Sequence, residues 1–271
     1  MNGSDSVNWF IGTAFVALLA WLIGVTLGRR SPLSGYVAIA LGVVFMLAWG
    51  WLIRNPATAV AVIPVGVLSR LEGVGGVPFF MLILGAAWAR SNAPRQRALI
   101  GWAMMFGAIY FVNGGMWMLQ RTPTAVMGQS IVPHEIRQSQ DYSCVPAACA
   151  TALNLIGVPT TEMQMADLTQ TRPGTGATMI RALDGLNKRL KAAPFRPELR
   201  EPSLEELTDI PLPMLTPLQF ETTRRHMVVL TRFTSNGVWV LDPMDGYAFY
   251  SFADLRPFYR NQVITFRNAD R

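Results

Sequence analysis

The stretch QSQDYSCVPAACATALNLIG, residues 138–157, decides how the second half of the chain is read. Its small and apolar residues (Ala147, Ala148, Ala150, Leu153, Leu155, Ile156) predict a buried helix from about Cys144 to Ile156, closed by Gly157. Ser143 or Asp141 is placed to cap it, and Pro146 falls in the first turn, where its missing N–H does no harm. Cys144 then opens the helix, with Gln138 six residues before it. Unpaired N–H groups and the positive end of the helix dipole favour a thiolate at such a position. Taken alone, a cysteine on an apolar helix is also an ordinary small core residue. Cys149, deeper in the same helix, reads as core.

Outward from this helix the chain changes character. The 271 residues are enough for about two units. Residues 1–121 are long apolar runs broken by arginines, and residues 122–271 read as an ordinary water-exposed domain. The formal excess of +6 arises wholly in the first part, which holds eight arginines against Asp5 and Glu72. The second part balances 15 basic with 15 acidic residues and shows no basic patch interleaved with aromatics. The high net charge is therefore a membrane-topology signal and not a nucleic-acid footprint.

A spanning helix needs about 20 apolar residues. Asn8–Gly28, Tyr36–Ile53, a shorter run from Val77 to Ala89 extended back through Gly73–Gly76, and Ala98–Leu119 predict about four transmembrane helices. Trp9, Trp51, Trp88, Trp102 and Trp117 sit near their ends, where amphipathic rings prefer the interface. The first run lacks a basic n-region and a cleavage site, so it reads as a permanent span. Ala57–Leu68, short and holding Pro64, reads as interfacial or re-entrant. Gly75-Gly76 and Gly114-Gly115 read as sites of close helix packing. With four spans, Arg29 and Arg30 share a side with Arg90, Arg95 and Arg97. The positive-inside rule makes that side cytoplasmic and puts both the N-terminus and residues 122–271 outside it.

Cys144 needs a base to act as a nucleophile. HMVVLTRF and VWVLDP, separated by TSNG, predict a β-hairpin from His226 to Asp242. A loop of about three to five residues centred on Thr234 would set His226 opposite Asp242, an acid that fixes the tautomer of an imidazole. A two-residue Asn236-Gly237 turn would instead pair His226 with Tyr247. His134, ten residues before Cys144, is the other candidate base, with no orienting acid in sight. Cys144 and Cys149 are five apart on one helix, which points them away from each other and argues against a disulfide. The two cysteines and two histidines match no zinc-site spacing, and no metal or cofactor is expected.

The combination is more specific than its parts. Gln138, Asp141, Cys144, Pro146 and Ala147, with His226, Val228, Val229, Leu230, Asp242, Pro243 and Gly246, resemble the papain-like cysteine peptidases that remove double-glycine leader peptides. PGTGATMIRALDGL (173–186) resembles the family's middle helix, and SLEELTDIPLPMLTPLQF (203–220) the approach to its central sheet. The resemblance runs from about Val132 to Phe266. It implies an α+β papain-like peptidase domain (122–271) with a central antiparallel sheet, which here follows the α-helical membrane domain (1–121) read from the apolar runs. It assigns Cys144 as nucleophile, His226 as general base and acid, Asp242 as orienting acid and Gln138 as oxyanion donor. The implied partners are a peptide or protein with a leader segment, the lipid bilayer of the bacterial inner membrane, and a separate export transporter. Three features depart from the family. Val145 replaces the usual glycine after the nucleophile, the peptidase part follows the spans, and no G-x-x-x-x-G-K-[ST] motif for ATP occurs. A non-catalytic module that holds a leader peptide in the same cleft, and a cell-envelope amidase, are the alternative readings.

Overall fold

Prolines and a glycine-rich turn cut the first part of the chain into helices. The computed structural model describes residues 3–119, 134–220 and 225–268. Two compact units divide the chain, Met1–Arg121 and Thr122–Arg271. The expected boundary at 121/122, and Val132 at the start of the resemblance, lie outside the described residues.

The first unit holds α1 (Gly3–Arg30), α2 (Pro32–Arg54), α3 (Pro56–Val62), α4 (Val65–Leu71), α5 (Val77–Arg90) and α6 (Pro94–Leu119). Ser31 separates α1 from α2 and caps α2 reciprocally with Ser34, each hydroxyl accepting the other's backbone N–H at 3.1 Å. Val7–Arg30, Pro32–Arg54 and Pro94–Met116 are long and apolar enough to cross a membrane. The third expected span is shorter than the sequence suggests. Its helix starts only at Val77, because residues 72–76 are turns and Gly73 takes φ +91°. At 1.5 Å per residue, the 14 residues of α5 cover about 21 Å, less than a hydrocarbon core of about 30 Å. The Ala57–Leu68 stretch is broken at Pro64 into α3 and α4, since proline removes a helix hydrogen bond and blocks the preceding turn.

Small residues let these helices touch. A Cβ on Gly24 would run into the Leu82 carbonyl, and one on Gly28 would lie 2.8 Å from the Ala86 carbonyl and the Ala89 side chain. Gly85 meets the Trp21 carbonyl in the same way, so α1 and α5 pack backbone to backbone with their carboxyl ends together. Gly75 lies against Trp49, Gly114 against Gly73, and Gly115 against Phe10, as glycines at close crossings should.

Among the described residues of the second unit, the helices α7 (Cys144–Leu155), α8 (Glu162–Leu168) and α9 (Met179–Arg189) precede the sheet. Thr161 and Thr178 cap α8 and α9. Then come β1 (Phe195–Arg200), β2 (Met214–Gln219), β3 (Arg225–Phe233), β4 (Gly237–Asp242), β5 (Gly246–Ser251), α10 (Phe252–Leu255) and β6 (Val263–Asn268). They form one antiparallel sheet in the order β1-β6-β2-β3-β4-β5. Both faces are covered. Met214, Leu218, Val228, Leu230, Val238 and Val240 join Leu207, Leu255 and Tyr259 in one core. The alternate residues Leu215, Met227 and Val229 are buried too, and α7 packs on β2 and β3. Each fully buried aliphatic side chain contributes about 1.5–3 kcal/mol, so this sheet is the rigid base on which the site is built. Helices segregated before an antiparallel sheet make this unit α+β, with the central antiparallel sheet that was expected.

Candidate active site

α7 begins at Cys144, as its sequence predicts, and ends one residue early at Leu155, with Gly157 at φ +80° just beyond. Cys144 is partly exposed and Cys149 is fully buried, and both are free thiols. Burial pushes the Cys149 thiol far above the ordinary range, and the neighbouring Cys144 adds to the shift, so Cys149 is inert at neutral pH. Val145 is interior, 5 % exposed, and does not project from the protein surface beside the thiol.

The expected cap is not made. Ser143 holds the N-cap position without bonding the helix. Its hydroxyl turns back instead, donating to the Gln140 carbonyl and accepting the Gln140 N–H, both at 3.0 Å. Asp141 is exposed and does not cap either. The Ser143 side chain thus leaves the first N–H groups of α7 without its cap.

β3 and β4 are joined by a three-residue loop, Thr234 to Asn236, closed by the Thr234 N–H on the Gly237 carbonyl at 2.8 Å. The loop is centred on Ser235, one residue later than direct pairing of His226 with Asp242 requires. Leu241 lies opposite Val229. Continuing that register by one residue sets Asp242 opposite Val228, so His226 reaches it on the diagonal, a spacing that long side chains bridge. His226 Nε2 lies 2.6 Å from Asp242 Oδ1, and both side chains are largely buried.

Asp242 is held from behind as well. The Met244 and Asp245 N–H groups donate to the same Oδ1 at 2.7 and 3.3 Å. Burial raises the Asp242 carboxyl pKa, but the hydrogen bond and charge of His226 and these two N–H groups outweigh it and hold it below its usual value. An ionised carboxylate only accepts, so Nε2 carries the proton, and the Cys144 thiol lies near enough to the imidazole to help raise its pKa. For His226 itself, burial works against the imidazolium. The hydrogen bonds and charges of Asp242 and Cys144 win, and its pKa is pushed up to about 9. His134 is exposed and stands at the start of the approach segment with φ 74°.

That approach segment is pinned on three sides. The Ile136 N–H donates to Thr151 Oγ1 at 2.9 Å, and the Ser139 N–H to Glu162 Oε1 at 3.0 Å. The Gln138 N–H donates to the Pro243 carbonyl at 2.9 Å, which sets Gln138 beside the turn that carries Asp242. One proton of the Gln138 amide goes to the Gln140 carbonyl at 3.0 Å. Residues 137–141 with Pro243 and Met244 line an open depression of about 690 Å³. Among the described residues, no group of three or more His, Cys, Asp or Glu side chains is arranged to hold a metal ion.

The model of the Peptidase C39 family matches residues 134–271, just over half of the chain. The chain belongs to the Peptidase C39 family. Among solved structures it is similar to the peptidase domain of Streptococcus ComA, a bifunctional ABC transporter of a quorum-sensing pathway. The identity is 16 %, over 49 % of this chain and 96 % of that one, with a TM-score of 0.43. It is also similar to a double-glycine motif protease from an AMS/PCAT transporter in complex with the leader peptide. There the identity is 19 %, over 55 % of this chain and 99 % of that one, with a TM-score of 0.43. No curated relative matches the chain. This C39 member carries a cysteine peptidase-type domain after a helical region that holds, among the described residues, three apolar, span-length helices.

Sequence reasoning missed the residues that hold these segments in place: Glu162, Thr151 and Arg137, each acting on a partner distant in sequence, and Glu135, which pairs with Arg137. The one legible sign was Gly246 in DPMDG, whose φ of +88° closes the Asp242 turn.

Proposed function

We propose that the chain is a membrane-anchored cysteine peptidase that cleaves a peptide or leader segment at Cys144. The carrying observation is the set of three groups brought together: Cys144 at the start of α7, His226 whose pKa the Cys144 thiol helps to raise, and Asp242 2.6 Å from His226 Nε2. The Cys144 sulfur attacks the scissile carbonyl carbon, with His226 as the imidazolium partner. The oxyanion that develops is met by the second amide proton of Gln138 and by backbone N–H at the start of α7. His226 then gives its proton to the leaving amine, and a thioester remains on Cys144. Water, deprotonated by His226, hydrolyses the thioester and frees the thiol. Asp242 keeps the imidazole in one tautomer throughout.

Family membership supports a double-glycine type of leader as substrate, with a separate export transporter as the consumer of the product. The helical unit supports anchoring in the bilayer. Because α1 and α5 share their carboxyl ends, Arg29, Arg30 and Arg90 gather at one end of that unit, where Arg90 covers the Tyr36 ring. Arg70 lies over Trp9 at the other end. The arginine-rich end is cytoplasmic by the positive-inside rule, and α6 runs from it to the opposite end. That supports a peptidase unit on the extracytoplasmic side of the inner membrane.

The test is labelling of the full chain in membranes with a thiol-directed probe, beside Cys144→Ala and His226→Ala. Cys144 should label faster than Cys149, and both substitutions should abolish cleavage of a Gly-Gly leader peptide. Equal labelling of the two cysteines, with cleavage unchanged in both variants, would sink the reading in favour of a binding module. A reporter fused after Arg271 that is active only in the cytoplasm would overturn the placement.

A further inference from the structure

We propose that Arg137 is a positioning residue for the reaction, bracing the turn that orients Asp242 through its carbonyl and across the face of Gly246. The inference rests on the peptidase reading and extends it to a residue outside the triad.

The contacts form one chain. Arg137 Nη1 donates to the Met244 carbonyl at 2.6 Å. Its guanidinium lies where a Cβ on Gly246 would have to be, so the turn closes around it. On its other side Nε lies 2.6 Å from Glu135 Oε1, and Glu135 is buried at 3 % exposure. The guanidinium therefore has one end in an ion pair with a buried carboxylate, out of line for a hydrogen bond, and the other end hydrogen-bonded to the turn. A planar fork suits this two-ended role, which a single-point ammonium cannot fill.

The turn is the element that orients the acid. Met244, whose carbonyl Arg137 holds, is also the residue whose N–H reaches Asp242 Oδ1 at 2.7 Å. Asp242 Oδ1 in turn accepts from His226. The neighbouring Gln138 N–H ties the same turn through Pro243. One brace thus sets the acid and the oxyanion donor in a common frame, the kind of outer support a catalytic constellation needs to stay within about 0.5 Å. The ionisable groups around the pair are Cys144 on α7, Asp245 in the turn and Tyr250 on β5; the Asp242 and Asp245 charges reach Tyr250.

The test reads Cys144 directly, with leader-peptide cleavage as a second readout. The rate of iodoacetamide alkylation at Cys144 is followed by mass spectrometry from pH 5 to 10 in the full-length chain. Three variants are compared with wild type: Asp242→Asn, the double variant Arg137→Met with Glu135→Gln, and Arg137→Lys. The double variant removes the brace at constant net charge and leaves no orphan carboxylate. Its alkaline inflection should fall from about 9 in the direction of Asp242→Asn, and leader-peptide cleavage should drop roughly tenfold or more, as misplacement near a reacting group does. Arg137→Lys, able to bond the Met244 carbonyl or Glu135 but not both, should show a smaller shift of the same sign, and serves alone if the double variant does not fold. A shift in Asp242→Asn with wild-type profiles in the Arg137 variants overturns the brace and leaves the peptidase reading standing. No shift in any variant overturns both.

Discussion

Replacing Asp242 by asparagine isolates the charge of the acid from its geometry. The Met244 and Asp245 N–H groups both point at Oδ1, at 2.7 and 3.3 Å. They require an acceptor there, so the asparagine must present its carbonyl oxygen and not its NH₂. That oxygen still accepts from His226 Nε2–H, and the tautomer survives. What is lost is the negative charge beside the imidazolium. His226 stands at about 9, against an ordinary 6.5. At about 1.4 kcal/mol per pH unit, that difference is on the order of 3 kcal/mol of preference for the charged form, shared between Asp242 and Cys144. An opposite charge at this range is worth about 1–3 pH units. The alkaline limb of kcat/KM for a Gly-Gly leader peptide should therefore move down by about one unit or more. The loss in kcat at neutral pH should stay near 10–100-fold, well short of the roughly 10⁴-fold that follows when an asparagine forces the wrong tautomer. The assay is a pH–rate profile of purified full-length chain from pH 5 to 10. A loss of about 10⁴-fold, or an alkaline limb that stays near 9, would refute the argument that the turn N–H groups dictate the amide orientation.

Other expectations follow from the same contacts. On the proposed mechanism Gln138→Ala should lower kcat by roughly 10²–10³-fold with little change in KM, since it would remove the proposed oxyanion donor; steady-state kinetics on the same peptide tests this. The raised pKa of His226 contributes stability that is complete below about 6.5 and is lost as pH climbs through about 9, because over that interval the folded chain binds more protons than the unfolded one. Thermal melts of the second unit should consequently decline between pH 6.5 and 9, and His226→Ala should flatten that slope. In the first unit, Gly85→Leu would drive a side chain into the Trp21 carbonyl, and α1 and α5 should separate, read as loss of a cysteine cross-link engineered between the two helices. Leu230→Ala, in the fully buried core, should cost about 2–5 kcal/mol in a denaturant melt.

Much of this molecule was legible because its signals are local. Apolar run length marked α1, α2 and α6, and Pro64 marked the break between α3 and α4. The third span was overread because composition cannot see that Gly73, at φ +91°, turns the chain before Val77. Small residues and Pro146 marked the start of α7 correctly, yet the capping role expected of Ser143 went elsewhere. Its hydroxyl was claimed by Gln140, a competition between two local hydrogen bonds that only the folded segment decides. Val145, a departure from the family pattern, is accommodated in the interior.

By itself, the sequence determined the division into an arginine-marked apolar part and a balanced polar part, the helix that begins at Cys144, and the hairpin that brings His226 near Asp242. These follow from hydrophobic period, turn chemistry and spacing, which act over a few residues. Tertiary structure decided the rest: the diagonal reach of His226 to Asp242, the three donors on one carboxylate oxygen, the pinned position of Gln138 and the brace from Arg137. Each of these depends on register and on contacts between segments as much as about 100 residues apart, such as Arg137 with Met244. Such contacts exist only once the sheet has fixed where its loops stand, and no local pattern encodes them.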